Sequence, residues 1–191
     1  MKGLKLSLQE IEKLLYQYLI KEKDEIVLSI SGEWGIGKTY FWKNTFINKY
    51  KNELKDKQIA YISLFGATSL NDIRTSILLQ SSKTKDKINW LNKKISTPMK
   101  NLKGLLKLDE LSFSFGLNSI SSVLSILSSG DFKNVIVCFD DFERMSSKID
   151  FKDILGLISE LKEQKKCKIV MIMNEEELGK LSNIEGKKYN E

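Results

Sequence analysis

The chain has 191 residues, 41% hydrophobic and 29% charged, with one proline and a formal net charge of +6. That suffices for one domain with a sizeable core, leaves too little for two, and excludes a wholly disordered chain. The absence of histidine excludes Ser-His and Cys-His catalysis and every His-based zinc site. Cys138 and Cys167 lie in apolar stretches with no further ligand nearby, and are expected as core residues in a reducing, cytoplasmic setting.

Residues 1–24 read as an N-terminal docking helix. Ser7 and Glu10 have capping-box spacing, and Ile11, Leu14, Leu15, Tyr18 and Leu19 form an apolar stripe. The β-branched run Glu25–Ile30 then predicts a buried parallel strand leading into a glycine-rich turn. Thr39–Tyr50 predicts a helix with Trp42, Phe46 and Tyr50 on the face turned to the sheet. A second strand is expected over Gln58–Phe65, closed by Gly66. Ser69 and Asp72 then offer an N-cap for a helix bearing Ile73, Ile77 and Leu78. This βαβα order predicts an α/β protein with three layers and a mainly parallel sheet.

From about 81 to 116 the pattern weakens around Pro98, and an insertion, partly helical, is expected. Leu111, Phe113 and Phe115 alternate as in a half-exposed strand, and Leu117–Leu127 resumes a helical stripe too short and serine-rich to span a bilayer. Lysines crowd between Lys83 and Lys107, but without arginine clusters or interleaved aromatics they read as a solvated surface, so nucleic acid is not the favoured partner. Val135–Phe139 predicts a buried strand, Phe151–Leu161 an amphipathic helix, Lys168–Met173 a last buried strand, and Glu175–Leu181 a helix start. The core is therefore read as 25–191.

Gly32-Glu33-Trp34-Gly35-Ile36-Gly37-Lys38-Thr39 fits the Gly-x-x-x-x-Gly-Lys-Ser/Thr pattern between a predicted strand and a predicted helix. Such a loop turns its N–H groups toward phosphate, and the helix N-terminus adds partial positive charge. The spacing assigns Lys38 to the β- and γ-phosphates and the Thr39 hydroxyl to Mg²⁺, with Trp34 packing on or closing over the loop and Tyr40 beside it. The strand ending at Phe139 delivers Asp140 for Mg²⁺ and Asp141 to polarise attacking water, with Glu143 as the competing base. Arg144 is read either as a phosphate-stabilising group acting on a neighbouring protomer or as a structural ion pair. Asn174 is read as a sensor of the γ-phosphate region and, compatibly, as a helix N-cap with Glu177.

Together, the glycine-rich loop and Asp-Asp-Phe-Glu-Arg resemble the KAP family of P-loop NTPases, within the AAA+/STAND-like group. The family pattern has Gly-x-Trp-Gly-x-Gly-Lys-Ser/Thr and Asp-Asp-x-Asp-Arg; Glu143 here replaces the last Asp. The resemblance spans roughly Glu25–Leu178. It implies a three-layer P-loop NTPase fold, an insertion between the Walker A and Walker B strands, ATP with Mg²⁺, and an ATP-driven switch, in some bacterial relatives tied to defence against phage. Family members usually continue into a further strand and a helical lid with a second arginine. The lid is expected to be absent here, as in an N-terminal portion, a short homologue or an excised piece. The expected partners are ATP and either a homo-oligomer or an effector domain or protein, with no membrane span. The competing readings are a small-molecule or nucleotide kinase, and a nucleotide-binding scaffold without turnover.

Overall fold

Four apolar runs pair into one parallel sheet. The computed structural model describes residues 6–81 and 134–179. Strands β1 (Val27–Ser31), β2 (Gln58–Ser63), β3 (Val135–Asp140) and β4 (Lys168–Met173) lie in the order β1-β4-β3-β2, every adjacent pair parallel. The last two strands are buried at every position, as expected of central strands covered on both faces. The expected insertion, its half-exposed strand and the Leu117–Leu127 stripe lie outside the described residues, except that Ser81 ends helix α3 (Leu70–Ser81).

Alternation along the strands divides the core in two. Ala60, Ile62, Val137, Phe139, Ile169 and Met171 pack on one face with Ile73 and Ile77 of α3 and with Ile154, Leu157, Ile158 and Leu161 of helix α4 (Phe151–Glu163). Ile30, Ile136, Cys138, Val170 and Ile172 pack on the other with Leu15, Leu19, Phe41, Trp42 and Phe46. Three layers follow because each strand presents apolar side chains to both sides.

Helix α1 (Leu8–Tyr16) starts with a complete capping box: the Ser7 hydroxyl accepts from Glu10 N, and the Glu10 carboxylate accepts from Ser7 N at 2.8 Å. It continues as a π-helical turn over Gln17–Lys21. The buried line is narrower than the expected stripe. Leu15 and Leu19 are buried four residues apart, whereas Leu14 and Tyr18 face outward at 43% and 36% exposure. The turn is fastened from below by Lys168, whose ammonium donates to the carbonyls of Tyr18 at 2.7 Å and Glu22 at 2.5 Å.

Helix α2 opens at Lys38–Tyr40, widens to π geometry over Phe41–Phe46 and returns to α over Ile47–Lys49. Trp42 and Phe46 stack at 5.6 Å between centroids, and Phe46 meets Tyr50 at 5.1 Å. β1 begins two residues later than its apolar run suggests, although the carbonyl of Ile26 already accepts from Ile169 N. β2 ends at Ser63 because the chain turns away through Gly66, at φ +79, and Phe65 bridges antiparallel to Met145 instead.

Candidate functional site

The site lies where β1 and β3 end, beside the end of β2. After β1 the chain turns through Gly35 and Gly37, both left-handed at φ +77 and +93, a conformation that a Cβ strains. Gly37 thereby directs the chain into α2, whose first turn carries Lys38, Thr39 and Tyr40. The Lys38 ammonium folds back over the loop and donates to the carbonyls of Gly32 at 2.6 Å and Glu33 at 2.9 Å.

Asp140 ends β3 and is only 4% exposed, so its charge needs partners. Three donors supply them. Thr39 Oγ1 and the Tyr61 hydroxyl each donate to Oδ2 at 2.6 Å, and Asp141 N donates to Oδ1 at 2.8 Å. Burial, and secondarily the bond to Asp140, hold the Tyr61 phenol protonated far above its ordinary range. Asp141 turns the chain in the left-handed region, at φ +62, a conformation that Asp adopts more readily than most residues. Its carboxylate accepts from Ser63 Oγ at 2.6 Å and lies 3.7 Å from Arg144 Nη1. The Arg144 guanidinium stacks 3.9 Å above the Phe65 ring.

A short 3-10 turn, Phe142–Arg144, buries Phe142 and turns Glu143 toward the loop. Each Glu143 oxygen is engaged: Oε1 accepts from the Trp34 indole at 2.8 Å and Oε2 from Asn174 N at 3.2 Å. One carboxylate thus ties the glycine-rich loop, the turn after β3 and the end of β4 together. Asn174 is 7% exposed and caps the helical segment 175–179, its Oδ1 accepting from Glu176 N and Glu177 N at 3.2 and 3.4 Å.

These groups enclose a cavity of about 580 Å³ bounded by Trp34, Gly35, Gly37 and Lys38–Tyr40 on one side and by Asp140, Asp141, Glu143 and Arg144 on the other. Of the remaining sequence-predicted residues, Gly32 and Glu33 contribute carbonyls to Lys38, Asn174 joins through Glu143, and Ile36 points outward at 70% exposure. Tyr61 and Ser63 belong to the network without being marked by any motif. Their signal is faint: two hydroxyl-bearing residues alternate on β2, and the register sets Ser63 opposite Asp140. The thiols take no part. Burial raises both, Cys138 strongly and Cys167 to about 12, so neither is a ready nucleophile.

A sequence profile described as the KAP family P-loop domain matches residues 9–190. The chain belongs to the KAP family of P-loop NTPases. No curated protein matches it. The family is one of nucleotide-binding NTPases, and the donors that line this cavity fit the metal that usually accompanies a nucleotide. Thr39 and Asp140 offer two hard oxygens in contact across the loop. Among the described residues, no three His, Cys, Asp or Glu side chains form a cage. The Thr39 and Asp140 oxygens suit magnesium, which keeps water and phosphate oxygens and needs few protein ligands. Among the described residues, no helix of this KAP-family domain is long and apolar enough to cross a membrane.

Proposed function

We propose that this domain binds ATP with magnesium and works as an ATP-dependent switch. The observation carrying the reading is the 2.6 Å contact between Thr39 of the loop and Asp140 of β3, residues 101 positions apart in sequence. Lys38 now rests on neutral carbonyls of its own loop; a β- or γ-phosphate is a stronger partner for an ammonium, and the loop N–H groups and the α2 N-terminus favour the same charge. Thr39 and Asp140 would hold magnesium, which when bound neutralises charge on the phosphates. Asp141 is assigned to polarising the attacking water. Glu143, with both oxygens already accepting, is assigned to holding Trp34 and the end of β4 around the nucleotide, and Asn174 to sensing the γ-phosphate through that link. Arg144, beside Asp141 and over the Phe65 ring, is assigned either to a structural ion pair or to phosphate charge on a neighbouring protomer. ATP is preferred to GTP because Met171-Ile172-Met173-Asn174-Glu175-Glu176 occupies the strand end where a guanine-reading Asn-Lys-x-Asp motif would stand.

The switch reading draws support from the rim. Trp34 and Tyr40, which both line the cavity, are 62% and 68% exposed, an apolar surface through which nucleotide occupancy would reach a second copy or an effector. The family resemblance suggests bacterial anti-phage defence as the setting, tested by plaque counts on a bacterial host carrying the gene or its Lys38→Ala variant. Labelled-nucleotide titration tests the core claim: Mg-ATP binds the wild type, and Lys38→Ala weakens binding about 100-fold. Undiminished binding by that variant sinks the reading. Because both candidate bases already accept hydrogen bonds, occupancy without turnover is the second reading. Tight ATP binding with no phosphate release distinguishes it from a hydrolytic switch.

A further inference from the structure

Two aromatic rings line the cavity, and only one of them is held. The Trp34 indole N–H donates to Glu143 at 2.8 Å, which keeps that ring against the turn after β3. Tyr40 stands past the other end of the glycine-rich loop, in the first turn of α2 and directly after Thr39. It is 68% exposed, and among the described residues its ring and hydroxyl have no hydrogen-bond or stacking partner. An open ring beside a phosphate site is a surface that a flat, weakly hydrated group covers favourably, because both faces leave water.

The triphosphate has a direction in this site. Asp141, assigned to the attacking water, and Glu143 with Asn174 lie where β3 and β4 end, and they mark the γ-phosphate end, where Trp34 is tethered. Thr39 and Asp140, in contact at 2.6 Å, stand where a metal bridges the β- and γ-phosphates. The α-phosphate and the nucleoside therefore run away from the tether and past Thr39, and the lining residue that comes next is Tyr40. We propose that Tyr40 is the base platform of the nucleotide site: its ring stacks on the purine, while Trp34 stays with Glu143 beside the γ-phosphate. The inference rests on the Mg-ATP reading above and adds the contact that a phosphate loop does not supply. Stacking reads the face of a base and not its edge, so Tyr40 supports affinity without choosing adenine over guanine.

The test is calorimetric titration of the whole chain, in Mg²⁺, with ATP and with inorganic tripolyphosphate, which carries the phosphates and no base. Tyr40→Ala is expected to weaken ATP about tenfold and to keep tripolyphosphate within about twofold. Tyr40→Phe, which retains the ring, keeps both, and Lys38→Ala weakens both. Equal loss of the two ligands in Tyr40→Ala means that the residue supports the loop itself and overturns the proposal, as does undiminished ATP affinity. A loss in Tyr40→Phe as large as in Tyr40→Ala moves the role from the ring to the hydroxyl and overturns it too. So does a wild type that binds tripolyphosphate as tightly as ATP, since the base then contributes nothing. No ATP binding by the wild type instead removes the underlying reading, so the two failures are distinct. A second measurement needs neither a variant nor tripolyphosphate. In the wild-type Mg-ATP complex, nuclear Overhauser cross-peaks from adenine H2 and H8 are expected on the Tyr40 ring. Cross-peaks to the Trp34 indole in their place, or to neither ring, overturn the proposal.

Discussion

Among the described residues, each end of the sheet buries one charge, and the two ends neutralise it by different means. At the C-terminal end of β3, Asp140 accepts from two side-chain hydroxyls and one backbone N–H. At the N-terminal end of β4, Lys168, 7% exposed, donates to the backbone carbonyls of Tyr18 and Glu22 at the close of the N-terminal helix. Hydroxyls rotate and can exchange partners, whereas helix-terminal carbonyls stay where the backbone leaves them. A charge held by rotors suits a site that must accept a ligand. A charge held by carbonyls suits a fastening. The C-terminal edge should therefore fail in binding when altered, and the N-terminal edge in stability.

The largest effect expected at the fastened end comes from Leu19→Ala. Leu19 is fully buried beneath the π turn, and such a truncation costs about 2–4 kcal/mol through lost transfer energy and the cavity left behind. Urea denaturation measures it, and ATP affinity is expected to stay within about twofold; a large affinity loss would mean that the two ends are coupled. Lys168→Met comes next. It keeps the volume but leaves the Tyr18 and Glu22 carbonyls without their donor, for about 1–2 kcal/mol, moderated because both residues reach solvent. A stability gain instead would mean that the buried ammonium costs more than the two carbonyls return.

The same contrast explains which parts were legible in the sequence. Whatever depends on neighbours along the chain could be read: the loop from Gly32 to Thr39, the buried runs of β3 and β4, and the Ser7–Glu10 cap. The match over residues 9–190 agrees with the family those motifs suggested. What depends on strand order could not. Tyr61 and Asp140 meet because β2 pairs with β3, and no periodicity within either strand announces that pairing. Glu143 joins Trp34 and Asn174 across 109 and 31 positions, through a left-handed turn at Asp141 that the dipeptide Asp140-Asp141 does not reveal. Regular helical spacing sets Leu14 and Tyr18 on the apolar stripe, but the burial follows the narrower Leu15–Leu19 line.

Alkali should separate the two ends by sign. Burial and then Lys57 lower Lys168, against the opposing pull of Glu22, Asp24 and Glu25. Between its lowered folded value and the ordinary 10.5 the unfolded chain binds more protons, so this group makes stability rise with pH. Tyr61 is raised, so above the ordinary 10.0 the folded chain keeps a proton that the unfolded chain has lost, and stability falls. Tyr50, Cys138 and Cys167 are raised as well, so each variant is compared with the wild type, where their contributions cancel. Urea midpoints from about pH 8 to about 11 should show Lys168→Met losing the upward component and Tyr61→Phe losing the downward one. Parallel curves for the two variants would break the comparison.

The smallest expected effect probes whether the C-terminal edge works as one unit. Trp34 is 62% exposed, yet its indole N–H reaches Glu143, and Glu143 in turn receives Asn174 N. A hydrogen bond to a carboxylate in so open a position contributes about 0.5–1 kcal/mol. Trp34→Phe should therefore weaken Mg-ATP by about two- to fivefold without altering the urea midpoint. If Trp34 acts through Glu143, a double-mutant cycle with Glu143→Ala returns most of that energy as coupling, and the two losses do not add. Additive losses would mean that Trp34 touches the nucleotide on its own account. Emission from Trp34, taken as the difference between wild type and Trp34→Phe, reports the same link directly, because the subtraction removes the signals of Trp42 and Trp90. A shift on adding Mg-ATP that vanishes in Glu143→Ala shows the loop and the strand ends moving together. A shift that survives places the movement in the loop alone.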